Sequence, residues 1–260
     1  MNKFLLRALV LASVNIAVFA DAQFRTRNRM DKLEDFDEQK FSWGFYLNGN
    51  RLDYRIVLHP RYGSEGNQNL VKSKESYSFG AGLIAKWRLN DYLDLRLEPG
   101  LQFAQRQLIF NTQSNDQYAA GTLTNPPFTP IPLTDKDKTR DIKSTLVDVP
   151  VLLELHGNRW YNSRPYIAAG VNYIVNLQSN SSSEDDNMQQ VFRSTTHNFA
   201  WSAEMGIQFY FNKFKLTPAI RGTFFMNNEK VADNATTPPY WATAMSTLQT
   251  RAVMFVLKFE

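Results

Sequence analysis

The chain of 260 residues has no cysteine. That excludes disulfide frameworks, cysteine-ligated zinc, iron–sulfur clusters, thiol catalysis and a lipid anchor on an N-terminal cysteine. Charge of one sign is scarce as well. Twenty-nine Lys and Arg against 25 Asp and Glu leave +4 at pH 7, spread along the chain, which gives no footprint for nucleic acid. No apolar run reaches the about 20 residues of a membrane helix. Together with a mean hydropathy of -0.40, this argues against a bundle of membrane helices. It says nothing against a membrane β-barrel, where apolar and polar residues alternate and average out. Catalytic signatures are also missing: there is no GxSxG, no P-loop and no GxGxxG. The three histidines, His59, His156 and His197, are scattered, and none has HxH or HExxH spacing. Asp148 and His156 share a face of one run but lie at its opposite ends, too far apart for a dyad. His59 and His197 read as exposed loop histidines near one rim. The sequence therefore points to no catalytic residue, no metal, no cofactor and no small-molecule substrate.

The N-terminus carries an export signal. Lys3 and Arg7 precede an apolar stretch from Ala8 to Phe19, and Ala20, Asp21 and Ala22 supply a small-x-small cleavage site before Gln23. Residues 1–22 are thus expected to be removed on export. Residues 23–40 follow with no apolar period: Arg25, Arg27 and Arg29 lead, and Glu34, Asp35, Asp37 and Glu38 come after. This charged segment reads as a solvated tail or as a contact segment for a partner.

From residue 41 the apolar period is two, the signature of strands. Tyr77, Phe79, Ala81, Leu83, Ala85, Trp87 and Leu89 alternate with polar or small residues; so do Leu93, Leu95, Leu97, Leu101 and Phe103. The pattern returns over 147–155, 199–211, 214–224 and at the C-terminus, with further runs over 41–58 and 165–177. In 41–58 the apolar set starts as Trp43, Phe45 and Leu47, then shifts to Leu52, Tyr54, Ile56 and Leu58. A β-bulge near Gly49 to Arg51 is the expected cause.

Eight runs are separated by alternating connections. Those at 90–91, 157–164 and 212–213 are short; 59–75, 106–143, 178–195 and 227–246 are long and polar. An eight-stranded antiparallel up-and-down barrel of the outer-membrane type has this rhythm, with tight periplasmic turns and long external loops. Both termini then fall on the periplasmic side. A soluble barrel would turn its apolar face inward. Two features favour a lipid-facing one. Several runs are long enough to cross a bilayer when tilted. Aromatics also gather at run ends: Trp43, Trp87, Tyr92, Phe211, Phe214 and Phe259 by the short turns, and Tyr77, Phe103, Phe199, Trp201 and Phe224 by the long loops, as two interfacial girdles. The opposite face should then hold charge inside the barrel: Asp53, Arg55, Lys86, Arg88, Arg96, Glu98, Asp148, Glu154, Glu204, Lys215 and Arg221. An eight-stranded interior is filled by side chains. These charges are expected to form a paired network, with Asp53, Arg55, Arg96, Glu98, Asp148, Glu154, Glu204 and Arg221 as its candidate members.

Over 41–260 the chain resembles the PorT-type outer-membrane barrels of Bacteroidetes. The resemblance rests on the first run (Phe41 to Asn48, then Asp53 to Ile56), on Ser78 to Leu83, and on Val147 to Leu153. Phe259, one residue before the end, also resembles the aromatic that closes outer-membrane barrels. The resemblance implies an outer-membrane component of the type IX secretion and gliding-motility machinery. Such a component has no enzymatic activity; its partners are the lipid bilayer and other secretion proteins. A general porin-like or anchoring barrel, structural or adhesive, is the alternative.

Overall fold

The computed structural model describes residues 32–60, 64–65, 68–69, 71–110, 134–183, 191–233 and 241–260. The expected export signal over 1–22 and the first part of the charged segment, 23–31, lie outside the described residues. Eight staves make one closed antiparallel barrel. β1 is Phe41–Leu58. β2 is Ser76–Arg88, preceded by an extension, Val71–Lys74. β3 runs as Leu93–Leu97 and Gly100–Phe110. β4 is Thr139–His156, β5 Ser163–Asn176, β6 His197–Tyr210, β7 Lys215–Phe225 and β8 Met245–Phe259. Each pairs with its successor, and β8 closes on β1 from Phe45 opposite Phe259 onward. A separate two-stranded ribbon, Ser64–Glu65 with Gln68–Asn69, follows β1.

Side chains alternate between wall and lumen along every stave. On the outer face stand Trp43, Leu83, Leu97, Val151, Val171, Met205, Ile220 and Phe255, all exposed. The expected girdle residues share that face. Trp43, Trp87, Tyr92, Phe211, Phe214 and Phe259 lie toward the tight-turn end; Tyr77, Phe103, Phe199, Trp201 and Phe224 lie toward the long-loop end. Neighbouring rings meet across strands, Phe45 on Phe259 at 5.0 Å and Trp201 on Phe224 at 4.5 Å between centroids. Inside, glycine makes room for aromatics. A Cβ on Gly82 would sit 2.5 Å from the Tyr46 ring, and one on Gly100 would sit 2.2 Å from its hydroxyl.

The strands run further than the apolar alternation suggests. β4 spans 18 residues and β8 spans 15, so the barrel wall continues past the girdle at the long-loop end. There the two faces exchange character. Tyr54 of β1, Leu108 and Phe110 of β3, Ile142 of β4 and Leu248 of β8 point inward and pack with Phe192, Trp241, Ala244 and Met245. The outward positions become Arg51, Arg55, Gln105, Asp141, Lys143 and Arg251. The reason is a change of solvent. Beside lipid the apolar face must be outside; beyond the lipid, water is outside and the apolar residues turn in.

This corrects two expectations. There is no bulge at Gly49 to Arg51: the β1–β8 ladder is unbroken to Val57 opposite Thr247, and its register shifts only between Val57 and Leu58. With the alternation unbroken, Asp53 and Arg55 face outward and are not lumenal.

Candidate functional site: the charged lumen and its cap

Six buried ionic side chains meet inside the barrel near the tight-turn end. Arg96 comes from β3 and Glu98 from the break between its two parts, Glu154 from β4, Glu204 from β6, Arg221 from β7 and Lys258 from β8. Glu204 and Arg221 are cross-strand neighbours, and Arg221 Nε donates to Glu204 at 2.7 Å. Arg221 also pairs with Glu98 across the lumen. Arg96 pairs with Glu98 and Glu154 and lies 3.4 Å from Glu204. Lys258 pairs with Glu204 and lies 3.0 Å from Glu98. Neutral groups complete the set: the Tyr166 hydroxyl donates to Glu204 at 2.6 Å, and Gln208 Nε2 donates to Glu154 at 2.5 Å. Three cations face three carboxylates. Because β3 lies across the ring from β6 and β7, the arginines bridge the interior from wall to wall.

The other candidate charges fall in different places. Asp148 is buried but belongs to a neutral chain: Asn172 donates to it at 2.8 Å, Ser202 donates to Asn172 at 2.7 Å, and Ser202 meets Thr223 at 2.8 Å. Lys86 lies 3.4 Å from Asp94 Oδ2, the same oxygen that His156 Nε2 meets at 3.1 Å. Lys215 pairs with Glu260. Arg88 leaves the lumen to pair with Asp91 of the first tight turn at 2.6 Å. Sequence reasoning missed Lys258, Asp94 and His156 as members of the interior. The inward parity of Lys258 and Asp94 in their runs was a usable signal; the Asp94–His156 pairing joins two strands and had none. His59 and His197 stand at the ends of staves three strands apart round the ring. His197 stacks on Tyr173, whose hydroxyl lies 2.7 Å from Nδ1.

Both mouths of the barrel are occupied. At the long-loop end the apolar cluster around Trp241 and Phe192 fills the interior. Beneath it Arg106 lies over the Tyr54 ring at 4.4 Å, donates to Ser144 at 2.8 Å, and sits 3.9 Å from loop residue Glu229. Burial pushes the Glu229 carboxyl up from its ordinary range, while Arg106 and the Thr250 hydroxyl and amide pull it back down.

At the tight-turn end the cap is the chain's own N-terminal segment. A short 3-10 turn, Glu34–Glu38, precedes β1. Its Phe36 ring lies 5.0 Å from Lys215 Nζ and 6.0 Å from Lys86 Nζ. The Asp37 carboxylate accepts a hydrogen bond from the Tyr210 hydroxyl at 2.8 Å and lies 3.5 Å from Arg164 and 3.8 Å from Arg159. Arg159 stacks 3.9 Å from the Tyr210 ring and donates to the Leu33 carbonyl at 3.2 Å. The Lys32 amide donates to Asn162 at 2.9 Å. One acid of the 23–40 segment, Asp37, thus meets a basic rim.

Asp37→Ala should therefore loosen the cap and leave the barrel folded. A charge-assisted hydrogen bond of this kind contributes about 1.5–3 kcal/mol. Tryptic cleavage at Lys32 and Lys40 of the folded protein in detergent should accelerate roughly tenfold or more. An unchanged rate would show that the carboxylate does not hold the segment.

A closed antiparallel meander with tight turns at one end, an apolar outer wall bounded by two aromatic belts, and a paired polar interior is an outer-membrane barrel. The chain belongs to the outer membrane protein beta-barrel domain family, whose model matches residues 19–230. Solved structures with a similar outline include Neisserial surface protein A (12% identity, 85% of this chain and 98% of that one, TM-score 0.35). OprG from Pseudomonas aeruginosa is 12% identical over 84% and 93% of the two chains, at TM-score 0.37. Outer membrane protein W of E. coli is 15% identical over 84% and 98%, at TM-score 0.35. No curated protein matches the chain.

Proposed function

We propose that this barrel works by contact and not by conduction, as an outer-membrane component of a protein-secretion machinery of the PorT, type IX kind. Its tight turns and both termini face the periplasm, and it carries out no chemistry of its own. The observation that supports contact over transport is the filling of the lumen at three levels: the Phe36–Asp37 cap, the Arg96–Glu204–Arg221 network and the Trp241 cluster. A solute would have to displace all three. The secretion assignment is supported by the resemblance carried by Phe41 to Asn48 and Val147 to Leu153. Within the segment around residues 25–38, the part that the cap leaves exposed, with Asp35 and Glu38, is the contact surface, on the side where energy-coupled parts of such a machine lie.

Deleting the gene should abolish delivery of secreted cargo to the cell surface and leave small-solute uptake unchanged. Deleting residues 25–38, with the barrel at wild-type abundance, should impair export in the same assay. Planar bilayers should show negligible conductance for the full chain. They should show the same for this deletion, because the network below the cap remains. Normal export from the null strain would reject the secretion role and leave the anchoring barrel. Large unitary steps would reject the contact mechanism.

A further inference from the structure

The outward residues of the strand extensions are not evenly charged around the barrel. On the β6 and β7 sector the outer end of the wall is aromatic or uncharged: His197, Phe199, Trp201, Phe224 and Met226. On the β8–β1–β2 sector it is basic. Arg51, Asp53 and Arg55 stand on one face of β1, and Arg251 of β8 is directly opposite Asp53. The extension of β2 brings Lys72 and Lys74, both exposed. It is held against β1 by the Ser73 hydroxyl, which donates to Asp53 Oδ1 at 2.6 Å. The two acids of the sector are engaged. Asp53 also accepts the Tyr54 amide at 2.8 Å, and Glu75 accepts Arg51 Nε at 2.8 Å. Among the described residues no hydrogen bond or ion pair engages the side chains of Arg55, Lys72, Lys74 or Arg251. The patch begins where the apolar band ends, for Arg51 is paired across the sheet with Val253 on one side and with Tyr77 of the girdle on the other.

We propose that this sector binds the phosphate groups of a phosphorylated glycolipid in the outer leaflet. Four unengaged cations on the outer wall, at the height where hydrocarbon gives way to headgroups, have no reason to face a neutral surface. Guanidinium and ammonium groups are the side chains that pair with phosphate, arginine in fork geometry and lysine as a point charge. Each basic residue beside an anionic headgroup layer adds attraction, and several together make a lipid-selective patch. Tyr77 and Val253 below the patch supply the apolar wall for the acyl chains of the same lipid. Ser73 and Asp53 touch no lipid in this account; they position the two lysines beside the two arginines.

The placement in the outer leaflet rests on the orientation proposed above, and the experiment separates the two ideas. The refolded full chain in detergent is incubated with lipid A bearing both phosphates, with dephosphorylated lipid A, or with lipid A plus millimolar inorganic phosphate. Bound lipid is counted by native mass spectrometry. The bisphosphorylated form should be retained at least tenfold better than the dephosphorylated one, and inorganic phosphate should not displace it. The variant Arg55→Gln/Arg251→Gln/Lys72→Gln/Lys74→Gln, which alters only exposed side chains, should lose that preference, while Lys40→Gln/Lys213→Gln keeps it. Equal retention of both lipids, full retention by the quadruple variant, or displacement by free phosphate would each overturn the glycolipid site. Orientation is read separately, by labelling Arg55→Cys on intact cells with an impermeant maleimide. Labelling supports the external leaflet. Protection with lipid preference intact overturns the orientation and the leaflet and leaves the phosphate chemistry standing.

Discussion

Glu204→Gln is expected to be the most destabilising single change in the barrel. Glu204, like Glu98, touches all three cations of the network, Arg96, Arg221 and Lys258, and it alone also holds the Tyr166 hydroxyl. Its replacement keeps an acceptor for Tyr166 and preserves volume, so packing is nearly constant and charge is the variable. Three cations would then share Glu98 and Glu154. Leaving a buried charge uncompensated costs about 3–5 kcal/mol. Unfolding in urea, followed by the shift between folded and unfolded bands on unboiled gels, should show the midpoint fall accordingly. The second variant decides the cause. Glu204→Gln/Lys258→Met restores the balance at two against two, and a neutral, well-packed replacement of a buried pair is often tolerated. It should recover more than half of the loss. A double variant no better than the single would show that Glu204 acts through local geometry and not through charge balance.

The same network marks what the sequence made legible. Period-two alternation identified all eight staves, and the alternation of short and long connections identified their order, because a meander has no other way to place its turns. Arg96, Glu98, Glu154, Glu204 and Arg221 were readable as inward because each sits between residues that are plainly lipid-facing. Their pairing was not. Which carboxylate meets which guanidinium depends on contacts across the lumen between β3 and β6 or β7, and linear spacing carries no trace of those. Asp53 and Arg55 failed for a different reason. The alternation in β1 was read against a single solvent, so a change in apolar parity looked like a bulge. The strand is regular and the surroundings change: Leu47 faces out beside lipid, whereas Leu52 and Tyr54 face in, Tyr54 as part of the Trp241 cluster. The cap was half legible. The run of acids from Glu34 to Glu38 pointed to a contact with another protein; the contact seen is that of Asp37 with the chain's own Arg159, Arg164 and Tyr210, more than a hundred residues away.

Placing an arginine on the outer wall should show where that change of surroundings lies. Leu97 and Met205 are exposed on the wall, 41% and 62%, at the middle of the apolar band of β3 and β6. Gln105 is outward on the same stave as Leu97, past Phe103 of the girdle. An arginine near mid-bilayer on a barrel costs about 2–4 kcal/mol, and the cost falls to about 0–1 near the interface. Leu97→Arg and Met205→Arg should therefore reduce the heat-modifiable, membrane-inserted fraction severely, and Gln105→Arg should leave it close to wild type. If both wall arginines left the inserted fraction unchanged, Leu97 and Met205 would not be meeting lipid. If Gln105→Arg matched Leu97→Arg, the hydrocarbon would extend past Phe103, and the basic sector of β8, β1 and β2 would lie too deep to meet headgroups. The height of the lipid band on the barrel is thus the quantity that ties the inverted faces to the glycolipid site.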